Sequence, residues 1–521
     1  MQYVLGNMLN GGGINPDGLS LDLQFAADKT LTARRGPTPV FTRLSGDNGG
    51  TTYFGPLVDL GDYTEFSTTG ITNGRASWFK SDGENDITIS YTGTGWRVIV
   101  AYDGIEDEYL AAPGSEWRPD QADWSSQEFT ITTSSTFGIV KAANNEPRFD
   151  HNPTSPFACR GLLIEEGRQN LFQYSEIFNE ADSSNYWDSA TANAVTSNQT
   201  TSPDGAATAD LLTTSTTSFD CFVRRTINWV GSTQYSYSIF LKRGPSNHRY
   251  VGLYIGAGIT GALQYPYFDF DNPTTVQIPS GTMVGTINST RVDAYPNGWY
   301  RVSVTFTTAA TPVTIYGGVY VSTSNGTLSS TPTAGLDCYI WGIQAETGSF
   351  PTSYIPTTTG TLARGADVCN ITGDDFSGFY NSTAGTLLSE VMIANLVGDN
   401  RGIVQMDDGT NNTIIRNSYG LANGGFHSII RANADASTTL SVVAGTASTI
   451  QKRVIAYEGT AFASTTNGGV VATATRTMPV GLNAMRIGNL VGGSFYLSGH
   501  IAAIRFYKKR LPNAKLVTLT T

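Results

Sequence analysis

Two neighbouring stretches decide the modular plan of this 521-residue chain: Asn144-Asn-Glu-Pro-Arg-Phe-Asp150 and Arg160-Gly-Leu-Leu-Ile-Glu-Glu-Gly-Arg-Gln-Asn-Leu-Phe-Gln-Tyr-Ser-Glu176. Within the second stretch, Gly161-Leu-Leu-Ile164 predicts a short buried strand, because three apolar residues follow one another. The charged run Glu165-Glu-Gly-Arg168 comes directly after it, so its side chains must lie at a surface or pair locally. We therefore place a junction between modules here.

The composition favours an all-β protein. A chain of 521 residues is too long for one hydrophobic core and predicts three or four domains. Charged residues make up 14% and aromatic residues 11% of the chain, while Thr, Ser, Gly and Asn are abundant. Scarce Lys and Glu argue against long surface helices. We expect several antiparallel β-sandwiches.

Charge and hydropathy exclude two classes of partner. The formal net charge of −11 opposes binding to nucleic acid, whose phosphates are gripped by clusters of Lys and Arg. The N-terminus lacks the cationic start and apolar run of a signal peptide, and no later segment approaches the roughly 20 apolar residues that cross a bilayer. We expect a protein that is made and assembled in the cytoplasm without membrane insertion.

The four cysteines are widely scattered. Cys159, Cys221, Cys338 and Cys369 contain no Cys-x-x-Cys pair, so they indicate neither a disulfide scaffold nor a zinc site. Cys221 and Cys338 lie in β-like runs, where buried thiols are expected. A bridge between these two remains an alternative if their strands pair.

The N-terminal part divides into an arm and a small module. Residues 1–46 are rich in Gly and Pro and contain one alternating run, Leu19-Ser-Leu-Asp-Leu-Gln-Phe25. Such an arm cannot build its own core, so we expect it to pair with residues 140–168, with neighbouring protomers or with a larger particle, and we assign it to attachment. Residues 47–139 predict an inserted β-meander whose dense aromatic residues fill a small core.

Residues 169–362 predict a two-sheet antiparallel sandwich. Turn residues such as Pro296-Asn-Gly298 separate the strand-like runs, and Thr357–Arg364 is predicted to be a linker. The runs are Gln234–Lys242, Tyr250–Ile255, Gly298–Phe306, Val313–Val321 and Leu336–Ile343.

Residues 363–521 predict a second sandwich. The Asn-Gly pair in Asn467-Gly-Gly469 favours a tight hairpin, and Leu511–Leu516 predicts a short turn of helix after the last strand. Strand-like runs are Gly385–Ile393, Lys452–Tyr457, Ala484–Gly488 and Tyr496–Tyr507.

These segments resemble known structural proteins of bacteriophages. The two opening stretches resemble the connector of head-spike or tail-fibre proteins, with residues 140–168 completing the attachment region. Residues 169–362, above all the closing segment Gln344–Pro356, resemble the carbohydrate-binding-module-like jelly rolls of such fibres, and residues 363–521 resemble laminin-G-like, concanavalin-like sandwiches. The resemblance implies a virion protein that contacts other capsid or tail proteins, forms a homotrimer and binds host-surface glycans.

Catalytic motifs are absent from the sequence. The histidines show no paired-ligand spacing, and no Gly-x-Ser-x-Gly elbow occurs. Two carboxylates are needed for glycan hydrolysis, but the candidate pairs Asp269/Asp271, Asp374/Asp375 and Asp407/Asp408 are better explained by turn or surface roles. We therefore expect no enzyme activity and no cofactor. Calcium is the milder alternative, although no Asp-x-Asp-x-Asp-Gly loop occurs.

Glycan binding requires less machinery than catalysis. A sugar packs its C–H face on an exposed ring, beside side chains that bond its hydroxyl groups. The cores of β-sandwiches bury most aromatic rings. Tyr265-Pro-Tyr267 is the best candidate for a surface position, because it lies by a loop. The predicted carbohydrate-binding residues are Tyr186, Trp187, Tyr250, Tyr254, Tyr265 and Tyr267.

The sequence therefore predicts a head or tail fibre or spike that adheres to host glycans through many weak sites. Two alternatives stay open. One is a capsid-decorating protein without a ligand. The other is a polysaccharide depolymerase, which would need two inward-facing carboxylates in a groove, although no parallel β-helix repeat is visible in the sequence.

Overall fold

The computed structural model describes side chains for part of the chain, and for the other residues only the bounds of strands are described. The ranges are residues 148, 150, 152, 160–178, 187, 195–214, 222–256, 265–279, 286–311, 316–322, 333–393, 396, 400–420, 425–493 and 495–521.

The chain divides into two compact units. The first, here the jelly-roll unit, comprises Glu165–Asp367 with Met1 and Asn395–Asp399. The second, here the C-terminal unit, comprises Gln2–Ile164, Val368–Ala394 and Asn400–Thr521. Both consist of β-sheets, which confirms the predicted all-β class.

The N-terminal strands form small sheets and additions to larger ones. Strands β4 to β8 pair in sequence order as a five-stranded sheet, which confirms the predicted β-meander. Strands β3 and β9 form a separate two-stranded sheet. The strands are β1 (Gln2–Val4), β2 (Leu19–Gln24), β3 (Pro39–Arg43), β4 (Ser67–Thr72), β5 (Arg75–Ser81), β6 (Asn85–Tyr91), β7 (Trp96–Tyr102), β8 (Ile105–Leu110), β9 (Phe129–Thr133), β10 (Phe149–His151) and β11 (Cys159–Ile164).

The jelly-roll unit is the predicted two-sheet sandwich. Its strands are β12 (Arg168–Asn170), β13 (Asp188–Ser189), β14 (Asn193–Thr200), β15 (Ala209–Thr214), β16 (Phe222–Thr226), β17 (Gln234–Arg243), β18 (Tyr250–Gly256), β19 (Tyr267–Asp269), β20 (Val276–Gln277), β21 (Thr286–Tyr295), β22 (Trp299–Thr307), β23 (Tyr316–Val321), β24 (Asp337–Thr347) and β25 (Leu362–Arg364). The front sheet has the order β13-β16-β23-β18-β19-β20, and the back sheet has the order β14-β15-β24-β17-β22-β21. The predicted turn Pro296–Gly298 is a short 3₁₀ helix between β21 and β22.

The hydrophobic core lies between these two sheets. Alternate residues of β18 enter it, namely Val251, Leu253 and Ile255. The outer face of the back sheet is covered by the closing segment, because Tyr354 packs its ring 4.8 Å from Trp341. Trp341 is fully buried there. The closing segment therefore covers the outer face of the back sheet and leaves the outer face of the front sheet uncovered.

The junction motif joins the start of the jelly-roll unit to its end. The side-chain amide of Asn170 donates to the carbonyls of Ile343 and Ile355, and its oxygen accepts from the amides of Phe172 and Ala345. All four hydrogen bonds of this buried amide are therefore made within the unit. The predicted linker is wrong in its last part, because β25 pairs with β12 and closes the sandwich.

The C-terminal unit is a second sandwich. Its later elements are β26 (Val368–Thr372), α1 (Gly373–Phe379), β27 (Ala384–Ile393), β28 (Arg401–Asp407), β29 (Ile414–Gly420), β30 (Gly425–Arg431), β31 (Thr438–Val443), β32 (Ile450–Glu458), β33 (Ala461–Thr466), β34 (Ala472–Thr475), β35 (Ala484–Ile487), β36 (Gly499–Tyr507) and α2 (Asn513–Thr520). The seven-stranded sheet has the order β1-β26-β35-β28-β29-β30-β31, in which β1 and β26 are parallel. The eight-stranded sheet has the order β10-β11-β36-β27-β32-β33-β34, with β2 also on β36.

Two local predictions hold in this unit. Asn467 and Gly468 both have positive φ, as a tight primed turn requires, and the strands on either side pair. The predicted helical turn near the C-terminus is α2. Neither helix in the described part of the chain is long and apolar enough to cross a membrane.

The expected pairing of the N-terminal arm with residues 140–168 is wrong. Strand β2 pairs instead with β36, opposite Ala503–Tyr507, while β11 pairs with the start of β36, opposite Gly499–Ile501. One long strand thus offers unpaired backbone groups to two short strands in succession. The attachment role of residues 1–46 stays a prediction.

The alternative of a bridge between Cys221 and Cys338 is wrong for Cys338, which is a free, buried thiol. Burial raises the pKa of this thiol, so it stays protonated and inert. Cys221 lies outside the described residues.

Candidate functional site

The outer face of the front sheet carries a row of aromatic residues across four strands. Since Val251, Leu253 and Ile255 point into the core, the alternate residues of β18 point outward. In register, the row runs through Phe222, Tyr320, Gly252 and Tyr267, so a glycine of β18 lies between two tyrosines of the neighbouring strands.

Gly252 makes room for one of these rings. A Cβ atom at this position would lie 1.9 Å from Cζ of Tyr320, so the ring of Tyr320 lies over the backbone of β18. Tyr320 also contacts the ring of Tyr265 at 5.7 Å and that of Tyr254 at 6.5 Å. The glycine therefore permits close packing of rings on the outside of the sheet.

We call Phe222, Tyr254, Tyr265, Tyr316 and Tyr320 the aromatic layer. Tyr254 and Tyr265 stack with their centroids 4.7 Å apart and are only 7% and 3% exposed. Arg224 lies 4.1 Å over the ring of Tyr316 and donates to the hydroxyl of Tyr254 over 3.0 Å. Cation–π and hydrogen-bond contacts therefore fix the layer as a rigid base.

Beside this layer, Tyr250 and Tyr267 remain partly exposed. Their rings meet edge to face with centroids 5.8 Å apart. His248 approaches the other side of Tyr250 at 6.3 Å and its Nε2 donates to the carbonyl of Ser322. The pair of tyrosines is thus held in one geometry with part of each ring open to solvent.

An ionic network lies next to the two tyrosines. Arg249 donates from Nε and Nη2 to the two carboxylate oxygens of Asp269, over 2.6 and 2.7 Å. Asp271 also approaches Arg249, at 3.3 Å, and pairs with Arg243. The guanidinium of Arg249 lies 4.9 Å from the ring of Tyr250. We call Arg243, Arg249, Tyr250, Tyr267, Asp269 and Asp271 the rim cluster.

The charge state of Asp269 follows from this geometry. The hydrogen bonds from Arg249 lower the pKa of its carboxyl group, and burial opposes them only in part. Asp269 is therefore ionised at neutral pH. A general acid for glycan hydrolysis needs the opposite, a carboxyl group whose pKa is raised.

Four of the predicted residues come together on this face: Tyr250, Tyr254, Tyr265 and Tyr267. Burial of Tyr254 and Tyr265 places them in the base, so Tyr250 and Tyr267 are the two that offer ring surface. Sugar contact by any of these residues stays a prediction.

Trp187 does not have the exposed ring that was expected. It is buried in the core between Phe172 and Phe178, with centroids 5.5 and 5.0 Å away. The reason is that the core of the sandwich buries the large apolar rings near the start of the unit. Tyr186 lies outside the described residues.

Sequence reasoning missed the arginines of the site. Arg224, Arg243 and Arg249 give no motif, and Asp269 and Asp271 were considered only as a possible catalytic pair. The sequence signal that was available concerns the tyrosines alone: the alternation in Tyr250-Val-Gly-Leu-Tyr254 places them on the face opposite the core.

The other paired carboxylates have structural roles. Asp407 is fully buried and pairs with Arg486, whereas Asp408 accepts hydrogen bonds from Thr410 in a turn. Asp374 and Asp375 lie in the first turn of α1. Among the residues with described side chains, no three His, Cys, Asp or Glu residues converge as metal ligands would.

No protein-family model matches this sequence, and none of the curated proteins matches it. Among solved structures, the chain is similar to the Ruminococcus gnavus IT-sialidase CBM40, with 13% identity, 27% of this chain and 83% of that chain covered and a TM-score of 0.24. It is also similar to domains LG4-5 of the mouse laminin alpha1 chain, with 9% identity over 71% of this chain and 96% of that one and a TM-score of 0.23. For Trypanosoma rangeli sialidase, the identity is 11% over 88% and 96%, with a TM-score of 0.24. These TM-scores are too low for the likenesses to carry any argument.

Proposed function

We propose that the jelly-roll unit binds glycans at the rim cluster. The observation that carries the proposal is the partly exposed pair Tyr250 and Tyr267 beside the ionised pair Arg249 and Asp269. A sugar needs this combination, because one face of its ring is apolar and its edge carries hydroxyl groups.

The two parts of the cluster have separate tasks. The exposed faces of Tyr250 and Tyr267 receive the C–H face of the sugar. Side chains of Arg249 and Asp271, which are 44% and 48% exposed, bond the hydroxyl groups. The buried aromatic layer keeps the rings in place before binding, so little side-chain entropy is lost when the sugar binds.

We propose that this site binds a glycan and does not hydrolyse it. Its two neighbouring carboxylates are both held by arginines, and the lowered pKa of Asp269 is unsuited to general-acid catalysis. The depolymerase alternative would require a carboxyl group with a raised pKa in the same groove.

The wider role that we propose is adhesion by a bacteriophage head or tail fibre or spike. The support is the resemblance of the connector Arg160–Glu176 to such proteins. Attachment to other virion proteins through the N-terminal region and assembly as a homotrimer belong to this proposal. Because single sugar contacts are weak, repeated copies would strengthen the hold through effective concentration.

A glycan array with the full chain tests the binding proposal. We expect binding to a restricted set of bacterial surface glycans, and a loss of this signal in the variant Tyr267→Ala. The variant Tyr339→Ala is the matched control, because it removes a partly exposed tyrosine from the back sheet of the same unit. An array without any signal, or equal signals from both variants, would contradict the proposal.

Immunogold labelling with antibody against residues 363–521 tests the wider role. Labelling of fibres or spikes on purified phage particles is the expected result. A protein that is found only free in the lysate would overturn the virion assignment while leaving the glycan site open.

A further inference from the structure

We propose that the rim cluster takes a neutral sugar and discriminates against sugars that carry a carboxylate, a choice that rests on the proposed glycan binding and narrows it to one class of ligand. Three features of the cluster support this choice: its balance of charges, the groups that a ligand can reach, and the two tyrosine rings.

The charges of the rim cluster cancel. Arg249 donates to both carboxylate oxygens of Asp269, over 2.6 and 2.7 Å. Asp271 bridges the two arginines, because its Oδ1 accepts from Arg243 and its Oδ2 lies 3.3 Å from Nε of Arg249. Over the described ranges, these four groups form ion pairs only with one another. Two positive charges thus meet two negative ones, and no guanidinium of the cluster lacks a carboxylate.

The central pair of this network keeps its charges. The hydrogen bonds to Asp269 raise the pKa of the Arg249 guanidinium above its ordinary value. The same hydrogen bonds lower the pKa of the Asp269 carboxyl group. Both groups are therefore ionised at neutral pH, and the balance is not altered by the transfer of a proton between them.

A ligand reaches one donor and one acceptor of the network side by side. The side chain of Asp269 is only 8% exposed and lies beneath the others, whereas those of Arg249 and Asp271 are 44% and 48% exposed. Two N–H groups of Arg249 donate to Asp269, which leaves its further N–H groups for a ligand. Asp271 offers carboxylate oxygens only as acceptors. The accessible surface of the cluster is therefore a donor next to an acceptor.

This arrangement matches hydroxyl groups better than a carboxylate. A hydroxyl group both donates and accepts, so neighbouring hydroxyl groups of a neutral sugar can accept from Arg249 and donate to Asp271. A carboxylate only accepts, and beside Arg249 it would stand next to the charge of Asp271. It would be the third negative charge around two arginines, and the repulsion between like charges opposes its binding.

The tyrosine rings favour the same class of sugar. Tyr250 and Tyr267 are partly exposed, with ring centroids 5.8 Å apart. The faces of an aromatic ring carry partial negative charge, which attracts the C–H groups of a sugar and repels a carboxylate. The rings and the ionic network therefore select against an acidic sugar independently of each other.

A glycan array printed with matched pairs tests the proposal on the full chain. Each pair holds an oligosaccharide that ends in glucose, galactose or mannose and the same chain that ends in the corresponding uronic acid. We expect at least one neutral member to bind and its acid to bind about ten-fold more weakly. Higher ionic strength should narrow this gap, because salt screens the repulsion from Asp271.

The outcomes separate this proposal from the proposed function. Acids that bind as tightly as their neutral partners, or more tightly, would overturn the neutral class and leave glycan binding by the cluster standing. The same holds if none of the pairs binds while other glycans do. A chain that binds no glycan at all would remove the proposed function as well.

The variant Asp271→Asn tests the source of the discrimination, since it removes one negative charge with little change of shape. We expect the affinity for the acid, relative to its neutral partner, to rise about three-fold or more. Both members of a pair are measured on the same variant, so a general loss of binding or stability cancels in this ratio. Asp293→Asn is the matched control, because it removes the same charge from the pair with Arg291 on the back sheet, and should leave the ratio unchanged. An equal ratio in Asp271→Asn and the parent chain would contradict the proposal.

Discussion

The carboxylate of Glu165 accepts a hydrogen bond from the guanidinium of Arg364 over 2.9 Å, although 199 residues separate them in the chain. The same carboxylate accepts from the amide of Ser353, and the amide of Glu165 donates to Asp367. Glu165 belongs to the charged run that the sequence placed at a surface or in a local pair. Glu165 does neither, because it is buried and its partner is far away in the chain, and the pair fastens the entry of the jelly-roll unit to its exit.

Removing this pair should loosen the jelly-roll unit. Glu165 is buried and Arg364 nearly so, and breaking one side of a buried pair costs about 3 kcal/mol or more. We expect Arg364→Met to lower the protection of residues 165–367 against hydrogen exchange by that amount. The control Arg291→Met breaks the exposed pair with Asp293 and should cost less than about 1 kcal/mol. Equal effects of both changes would contradict the fastening role.

The variant Gly252→Ala should disturb the aromatic layer. Its Cβ would collide with the buried ring of Tyr320, so the ring must move or the strand must shift, at a cost of about 1–3 kcal/mol. Thermal unfolding of the jelly-roll unit measures this loss. Gly360→Ala is the control, because no atom lies within 4 Å of a Cβ there. An unchanged melting temperature in Gly252→Ala would show that the layer yields without cost.

Arg453 should be essential to the C-terminal unit. It is fully buried on β32, and burial lowers its pKa to about 9. Its guanidinium donates to the carbonyls of Phe426 and Leu440 and to hydroxyl groups on both sheets. Arg453→Met leaves these acceptors unsatisfied and should cost about 3 kcal/mol or more in urea unfolding.

A matched control for Arg453 is its neighbour Lys452, which is partly exposed and whose side chain donates only to the carbonyl of Thr521 among the described contacts. Lys452→Met should change stability by less than about 0.5 kcal/mol. If Arg453→Met were equally mild, the guanidinium would not be holding the two sheets together.

Acid should destabilise the C-terminal unit through His427. Burial, helped by the charges of Arg453 and Arg416, lowers the pKa of this histidine to about 4. The unfolded chain, with a pKa near 6.5, therefore binds more protons than the folded chain between these values. Stability is fully present above about pH 6.5 and falls by up to about 3 kcal/mol as the pH drops through 4. Urea unfolding of His427→Gln over the same pH range should show a flatter profile, and a slope as steep as that of the parent chain would assign the effect elsewhere.

The strands could be predicted from the sequence because their signals are local. Alternation in Gln234–Lys242 and the turn at Asn467 depend only on neighbouring residues, and both predictions are correct. The end of the predicted linker and the pairing of β2 were wrong, because both depend on strands far away in the chain.

The rim cluster divides in the same way. Tyr250 and Tyr267 lie on β18 and β19, which follow one another in the chain and pair, so their proximity could be expected from the sequence. Which rings would be buried could not, because this depends on packing across the sheet.

Above all, we propose that the rim cluster binds a sugar. Isothermal titration of the strongest array ligand into the double variant Tyr250→Ala/Tyr267→Ala tests it most directly, with Tyr339→Ala as the reference. We expect the affinity to be at least about ten-fold lower in the double variant and unchanged in the reference. Equal affinities in both, with the jelly-roll unit still folded, would contradict it.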